Sequence, residues 1–94
     1  MSEIEQKKTC TLINRLGLHV RAATQLVKLA ETFACEIIVE RDGFDPANVK
    51  SIMSVLTLAA TKGSILTFTA RGPQAEEALM AIERLIASRF GEAD

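Results

Sequence analysis

The chain predicts an α+β domain in which a four-stranded antiparallel sheet carries three helices on one face. Three observations predict it. Apolar residues alternate at period two in four short stretches, the pattern of half-buried strands. In three other stretches they recur at three and four, the stripe of an amphipathic helix. The two kinds follow one another as βαββαβα, and short strands with one polar face pack most economically as an antiparallel sheet covered on a single side.

The first strand is KKTCTLIN, with Cys10 and Leu12 on one face and Thr9 and Thr11 on the other. From about Val20 to Phe33 the period changes, and Ala23, Leu26, Val27, Ala30 and Phe33 form a helical stripe. CEIIVER returns to alternation, placing Cys35, Ile37 and Val39 together. RDGF is a turn, because Asp-Gly tolerates positive φ. A short strand about Ala47–Val49 follows, and Pro46 puts it at a sheet edge, since proline cannot donate to a ladder. SIMSVLTLAA reads as a short helix starting near Ser51 and ended by TKG, with Val55 and Leu58 on its core side. SILTFTA alternates again, with Leu66, Phe68 and Ala70 inward. Gly72-Pro73 opens the last helix, proline suiting a first helical position. Glu76 and Glu77 lie near its positive end, Arg84 and Arg89 near its negative end. Its buried stripe is Ala78, Ile82, Leu85 and Ile86, and Gly91 marks the stop.

No repeat, linker or low-complexity segment interrupts this order, so residues 1–94 read as a single domain, with a few residues at each end expected to fray. At 48% hydrophobic and 24% charged residues, the chain has the composition of a globular domain. A net charge of −1, from 11 basic and 12 acidic side chains, argues against nucleic-acid binding, which needs a basic face. No apolar run approaches the ~20 residues that span a bilayer. The stretch MSEIEQKKTC lacks the apolar core of a signal peptide. The expectation is a cytoplasmic protein without stable membrane association. Cys10 and Cys35 read as buried, reduced thiols. Without CxxC spacing, and with one distant histidine, they make a poor metal set, so no metal site is expected.

The one histidine, His19, stands in NRLGLHVRAATQLVKLA, where a loop becomes a helix. Alone it would read as a surface residue at a helix start. Its neighbours suggest more. Gly17 permits an unusual turn and leaves room beside the ring. Arg21 is close enough to share an anion, and the first-turn N–H groups have no intrahelical partners. An imidazole, a guanidinium and a helix N-terminus together suit a dianionic phosphoryl group. With an ordinary pKa of ~6.5, imidazole is largely a neutral nucleophile near pH 7, and the N–P bond it forms is labile enough for onward transfer. No Ser-His-Asp arrangement and no Walker loop are legible. The site therefore reads as a holder of phosphoryl groups, not a self-sufficient enzyme, and no cofactor is called for.

GLHVRAA resembles the GLHARPA motif of the HPr family, the histidine-containing phosphocarriers of the bacterial phosphoenolpyruvate-dependent phosphotransferase system. The resemblance covers about residues 8–90. A second stretch, KSIMSVLTLAATKG, is similar to the family's helix with the regulatory serine. The resemblance implies the HPr-like open-faced sandwich. It implies that His19 is phosphorylated at Nδ1 by phospho-enzyme I and passes the group to IIA domains of sugar permeases, with Arg21 assisting transfer. It further implies that Ser51 is the target of an HPr kinase/phosphorylase, although serine is also a favoured N-cap and capping alone would explain it. Ile52, Met53 and Leu56 match exposed apolar residues that dock partners, and a monomer is expected. Ala22 stands where the family usually has proline, Ser54 and Ala59 where it often has glycine. Two alternatives remain open: a carrier in a regulatory, nitrogen-type phosphorelay, and a non-catalytic adaptor controlled through phospho-Ser51.

Overall fold

A computed structural model of the chain describes residues 4–93. Four strands, β1 (Glu5–Thr11), β2 (Glu36–Glu40), β3 (Ala47–Asn48) and β4 (Ile65–Arg71), form one antiparallel sheet in the order β1-β4-β2-β3. Three α-helices, α1 (Val20–Glu31), α2 (Ile52–Leu56) and α3 (Ala75–Ala87), and a closing 3₁₀ turn (Arg89–Gly91) complete the βαββαβα order.

The register explains how the sheet has a wet face and a dry one. Lys8, Phe68, Val39 and Ala47 form one row across all four strands. Phe68 and Val39 in this row are fully buried, beside Leu66, Ala70 and Ile37 on the same face. Above this row Lys8 reaches Glu83 of α3 at 3.2 Å. The next row, Lys7, Thr69, Ile38 and Asn48, lies on the other face, where Ile38 is left 38% exposed. Removing side chains such as Phe68 and Leu66 from water contributes roughly 1.5–3 kcal/mol each. The pairing thus keeps a one-residue register slip from turning them outward. Helix α3 packs across β1 and β4, and α1 sits against α2 and α3. Cys10 and Cys35 are both buried free thiols, and burial pushes the pKa of each up.

Four helix boundaries differ from the sequence pattern, each for a local reason. α1 ends at Glu31 rather than Phe33. The Thr32 hydroxyl donates to the Leu29 carbonyl at 2.7 Å, and the last amides shift to the tighter three-residue spacing. α2 ends at Leu56, well short of TKG. The Thr57 hydroxyl donates to Ser54 O at 2.5 Å, and the chain leaves through Ala59 at φ +46. α3 begins at Ala75, so Pro73 lies in the turn before it and not at its first position. Gly72 turns the chain at φ +115 and Gln74 holds the left-handed N-cap. The Gln74 side chain accepts a hydrogen bond from the Ala34 amide at 2.9 Å, fixing the turn against the start of β2. The last is the stop of α3, which ends at Ala87 and not at Gly91, where the Ser88 hydroxyl donates to Leu85 O at 2.7 Å.

Ala59 carries measurable strain. A Cβ in the left-handed region costs roughly 1–2 kcal/mol, partly offset by alanine's smaller loss of backbone freedom on folding. Ala59→Gly is expected to raise stability by about 0.5–1 kcal/mol, read as a higher urea midpoint at unchanged slope. A lower midpoint would show that the turn is relaxed as it stands.

Candidate functional site

The site is built at the junction of the β1–α1 loop, the first turn of α1 and the chain's last described residues. Three interactions fix the loop. The Gly17 amide donates to Asn14 O at 3.1 Å and the Leu18 amide to Ala60 O at 2.9 Å. The Asn14 side-chain amide donates to Gly17 O at 2.8 Å. Gly17 is required here on two counts. Its φ is +64, and a Cβ would lie 2.6 Å from Ala60 O and 2.8 Å from Thr61 Cα, both backbone atoms. Leu18, buried beside it, anchors the loop in the core.

This loop delivers His19 to the N-cap of α1 with an extended backbone, φ −81 and ψ 179. Its carbonyl accepts from the Ala23 amide at 2.8 Å, closing the first turn. Its imidazole makes no capping bond, so the amides of Val20, Arg21 and Ala22 keep the unfilled donor character of a helix start. The Ala22 side chain is completely buried. Alanine leaves at this position an amide N–H that proline would lack.

The imidazole is held from the C-terminal side. Its Nε2 lies 2.5 Å from Glu92 Oε2, with side-chain exposures of 28% and 12%. The Asn14 amide nitrogen donates to the other oxygen, Oε1, at 3.0 Å. These hydrogen bonds hold the Glu92 pKa below the ordinary carboxylate range, that of His19 foremost and that of Asn14 next, with the charge of Arg21 adding to them. Contacts to the ionised carboxylate are thus complete above that range and fade as pH falls through the lowered value. The tail reaches His19 by a bend at Arg89 and Phe90, both at positive φ. It is pinned by the buried Phe90 ring and by Gln25, whose amide donates to Phe90 O at 3.1 Å. Fraying was expected at both ends. The C-terminal segment is instead tied down through Glu92, while residues 1–3 and 94 lie outside the described span.

Of the residues singled out in the sequence, His19 and Arg21 share the first turn of α1, with Arg21 exposed. Ser51 caps α2, its hydroxyl accepting from the Ser54 amide at 3.3 Å. Met53 is 74% exposed, whereas Ile52 and Leu56 are half-buried against the core. Val55 and Leu58 are fully buried, as their spacing predicts. Sequence reasoning missed Asn14 and Glu92. It also missed Leu16 and Val20, exposed apolar residues that flank His19 along the chain. The usable signal was Phe90, an aromatic residue in an otherwise polar tail. Among the described residues no group of three or more His, Cys, Asp or Glu could hold a metal ion, and no helix is long and apolar enough to cross a membrane.

The arrangement offers one imidazole nitrogen fastened to a carboxylate, the other without a partner, on a residue that heads a helix start whose first amides are unfilled. The family model described as the phosphorylation-site HPr component of the phosphotransferase system matches residues 6–88. Phosphocarrier protein HPr of Cupriavidus necator is 43% identical over 88 residues, 94% of this chain and 98% of that protein. Phosphocarrier protein NPr of Escherichia coli K12 is 37% identical over 86 residues, covering 92% of this chain and 96% of that protein. The crystal structure of HPr-C-His from Thermoanaerobacter tengcongensis matches with a TM-score of 0.90 at 37% identity, over 95% of this chain and 99% of that one. The chain therefore belongs to the HPr family of phosphotransferase-system phosphocarrier proteins, carriers of phosphohistidine rather than enzymes with turnover of their own.

Proposed function

We propose that His19 accepts a phosphoryl group at Nδ1 from phospho-enzyme I and passes it to IIA domains of sugar permeases, with the protein acting as a cytoplasmic monomer. The observation that carries this reading is the imidazole at the N-cap of α1. Nε2 is engaged by Glu92, which leaves Nδ1 as the nitrogen open to the group, on the residue that directly precedes the unfilled first-turn amides and Arg21. Those amides and the guanidinium supply charge-assisted donors for a dianion. Arg21 assists by offsetting charge on the transferring oxygens. Ser51 is proposed as a regulatory phosphorylation site as well as a cap. A phosphate of charge about −1.5 to −2 at a helix start leaves the helix intact and acts on partner binding instead. A nitrogen-type relay is the second reading, favoured by the match to an NPr.

Partners are proposed to dock on a surface that includes Met53, together with what Ile52 and Leu56, half-buried against the core, leave exposed. A flexible thioether adapts to several partners. The test is reconstitution with enzyme I, phosphoenolpyruvate and IIA proteins of both the sugar and nitrogen types. Fast transfer to a sugar-type IIA is expected, and exclusive transfer to the nitrogen type would overturn that assignment in favour of the second reading. An HPr kinase/phosphorylase with ATP, added in a separate arm, should label Ser51, and the absence of label would remove the regulatory role. In the same assay Met53→Glu should slow transfer in both directions by tenfold or more, since ~1.4 kcal/mol suffices for that factor. Stability should change by only about 0.5 kcal/mol, as for other surface substitutions. A folded Met53→Glu variant with wild-type transfer would dissociate Met53 from docking.

A further inference from the structure

We propose that Glu92 is a positioning residue for phosphoryl transfer: its carboxylate holds the Nε2 proton of His19, leaves Nδ1 as the nucleophilic nitrogen, and faces the imidazolium formed when Nδ1 takes the phosphoryl group. This rests on the reading of His19 as the phosphoryl acceptor.

The geometry sets the direction of each hydrogen bond. Glu92 Oε1 accepts from the Asn14 amide nitrogen at 3.0 Å, so the carboxylate is already fixed as an acceptor on one side. Arg21 places positive charge near it, and both influences favour the ionised form. An ionised carboxylate can only accept, so at 2.5 Å the proton belongs to Nε2, and the neutral ring must carry its lone pair on Nδ1. Asn14 is completely buried and also held by Gly17 O. The carboxylate is therefore aimed by a fixed group, not by a mobile tail. The bend at Arg89 and Phe90, at φ +57 and +55, the buried Phe90 and the Gln25 contact return the chain to this place.

The chemistry closes without moving a ring proton. On loading, the Nδ1 lone pair forms the N–P bond while the donor's bond to phosphorus breaks and its electron pair stays with the donor. The ring becomes a phosphoimidazolium with Nε2–H still in place, its positive charge set against the Glu92 carboxylate. On unloading, the N–P bond breaks as the acceptor's lone pair bonds phosphorus, and the N–P electron pair returns to Nδ1. The carboxylate fixes the tautomer and stabilises the charged ring, the role an orienting acid plays toward a catalytic histidine.

The experiment compares wild type, Glu92→Ala and Glu92→Gln, all full length, by imidazole ¹⁵N NMR at mildly alkaline pH and by the rate of phosphorylation from enzyme I and phosphoenolpyruvate. Wild type should show a single tautomer with a slowly exchanging Nε2–H. In Glu92→Ala that proton should exchange fast and the tautomers mix, with loading slowed about tenfold. Glu92→Gln keeps an acceptor oxygen without charge, so it should retain the tautomer and load at an intermediate rate. A merely structural role for the tail would move the melting temperature and leave these signatures unchanged. An unchanged ¹⁵N spectrum in Glu92→Ala, or loading at the wild-type rate or faster, would overturn the proposal. Because the tautomer is read on the unphosphorylated protein, failure of wild type itself to be phosphorylated would count against the acceptor reading separately.

Discussion

His19→Ala is expected to accept no phosphoryl group from enzyme I while remaining folded. The expected loss is total, because the chain has only one imidazole and the surrounding amides can bind a phosphoryl group but not form a covalent bond to it. Folding should survive, since the ring sits at the edge of the structure with 28% of the side chain exposed and lies outside the core. Some stability should go with the Glu92 contact. A hydrogen bond to a charged group is worth about 1.5–3 kcal/mol, and 1 kcal/mol moves the melting temperature of a domain this size by roughly 4–8 °C. A variant that melts roughly 6–24 °C lower and carries no label agrees with this account. One that is labelled normally shows that another residue is the acceptor.

Gly17→Ala should be among the most destabilising single-methyl substitutions in the protein. The added Cβ would sit 2.6 Å from Ala60 O, the atom that accepts the Leu18 amide, so neither partner can yield without breaking the loop. Strain at positive φ costs roughly 1–2 kcal/mol and overpacking about 1–3 kcal/mol. The sum, on the order of 2–5 kcal/mol, is a large part of the ~5–15 kcal/mol a domain has available. Gly43→Ala is the matched control. It has φ +85 but nothing within 4 Å of the added carbon, so it should lose only the backbone part. Equal urea midpoints for the two variants would contradict the close approach at Gly17. Whatever fraction of Gly17→Ala folds should also transfer slowly, because the shifted loop carries His19 away from Glu92.

How much of this was legible in the sequence depended on how local the cause was. Strand faces were, because alternation in CEIIVER and SILTFTA depends only on which side of the sheet is dry; Ile37, Val39, Leu66, Phe68 and Ala70 are all buried. The edge position of β3 followed from Pro46. Helix ends were less legible. The stop of α2 depends on the Thr57 hydroxyl and the turn at Ala59, and the start of α3 depends on Gln74 reaching Ala34, 40 positions away. His19 and Arg21 could be singled out because glycine, histidine, arginine and a helix start are neighbours in sequence. Glu92 could not, since it meets His19 across 73 positions and Asn14 across 78. Phe90, two residues earlier, signals that the tail returns to the core but not which group Glu92 meets there. The contact exists because Phe90 finds a place in the core and bends the chain back.

The central claim is that one imidazole nitrogen carries the phosphoryl group. The most direct measurement is ³¹P and ¹⁵N NMR of the intact ¹⁵N-labelled protein after charging with enzyme I and phosphoenolpyruvate. The prediction is a single acid-labile phosphoryl group coupled to Nδ1 of His19, with Nε2 still protonated. Coupling to Nε2, an acid-stable ester on a serine such as Ser51, or no incorporation at all would contradict it.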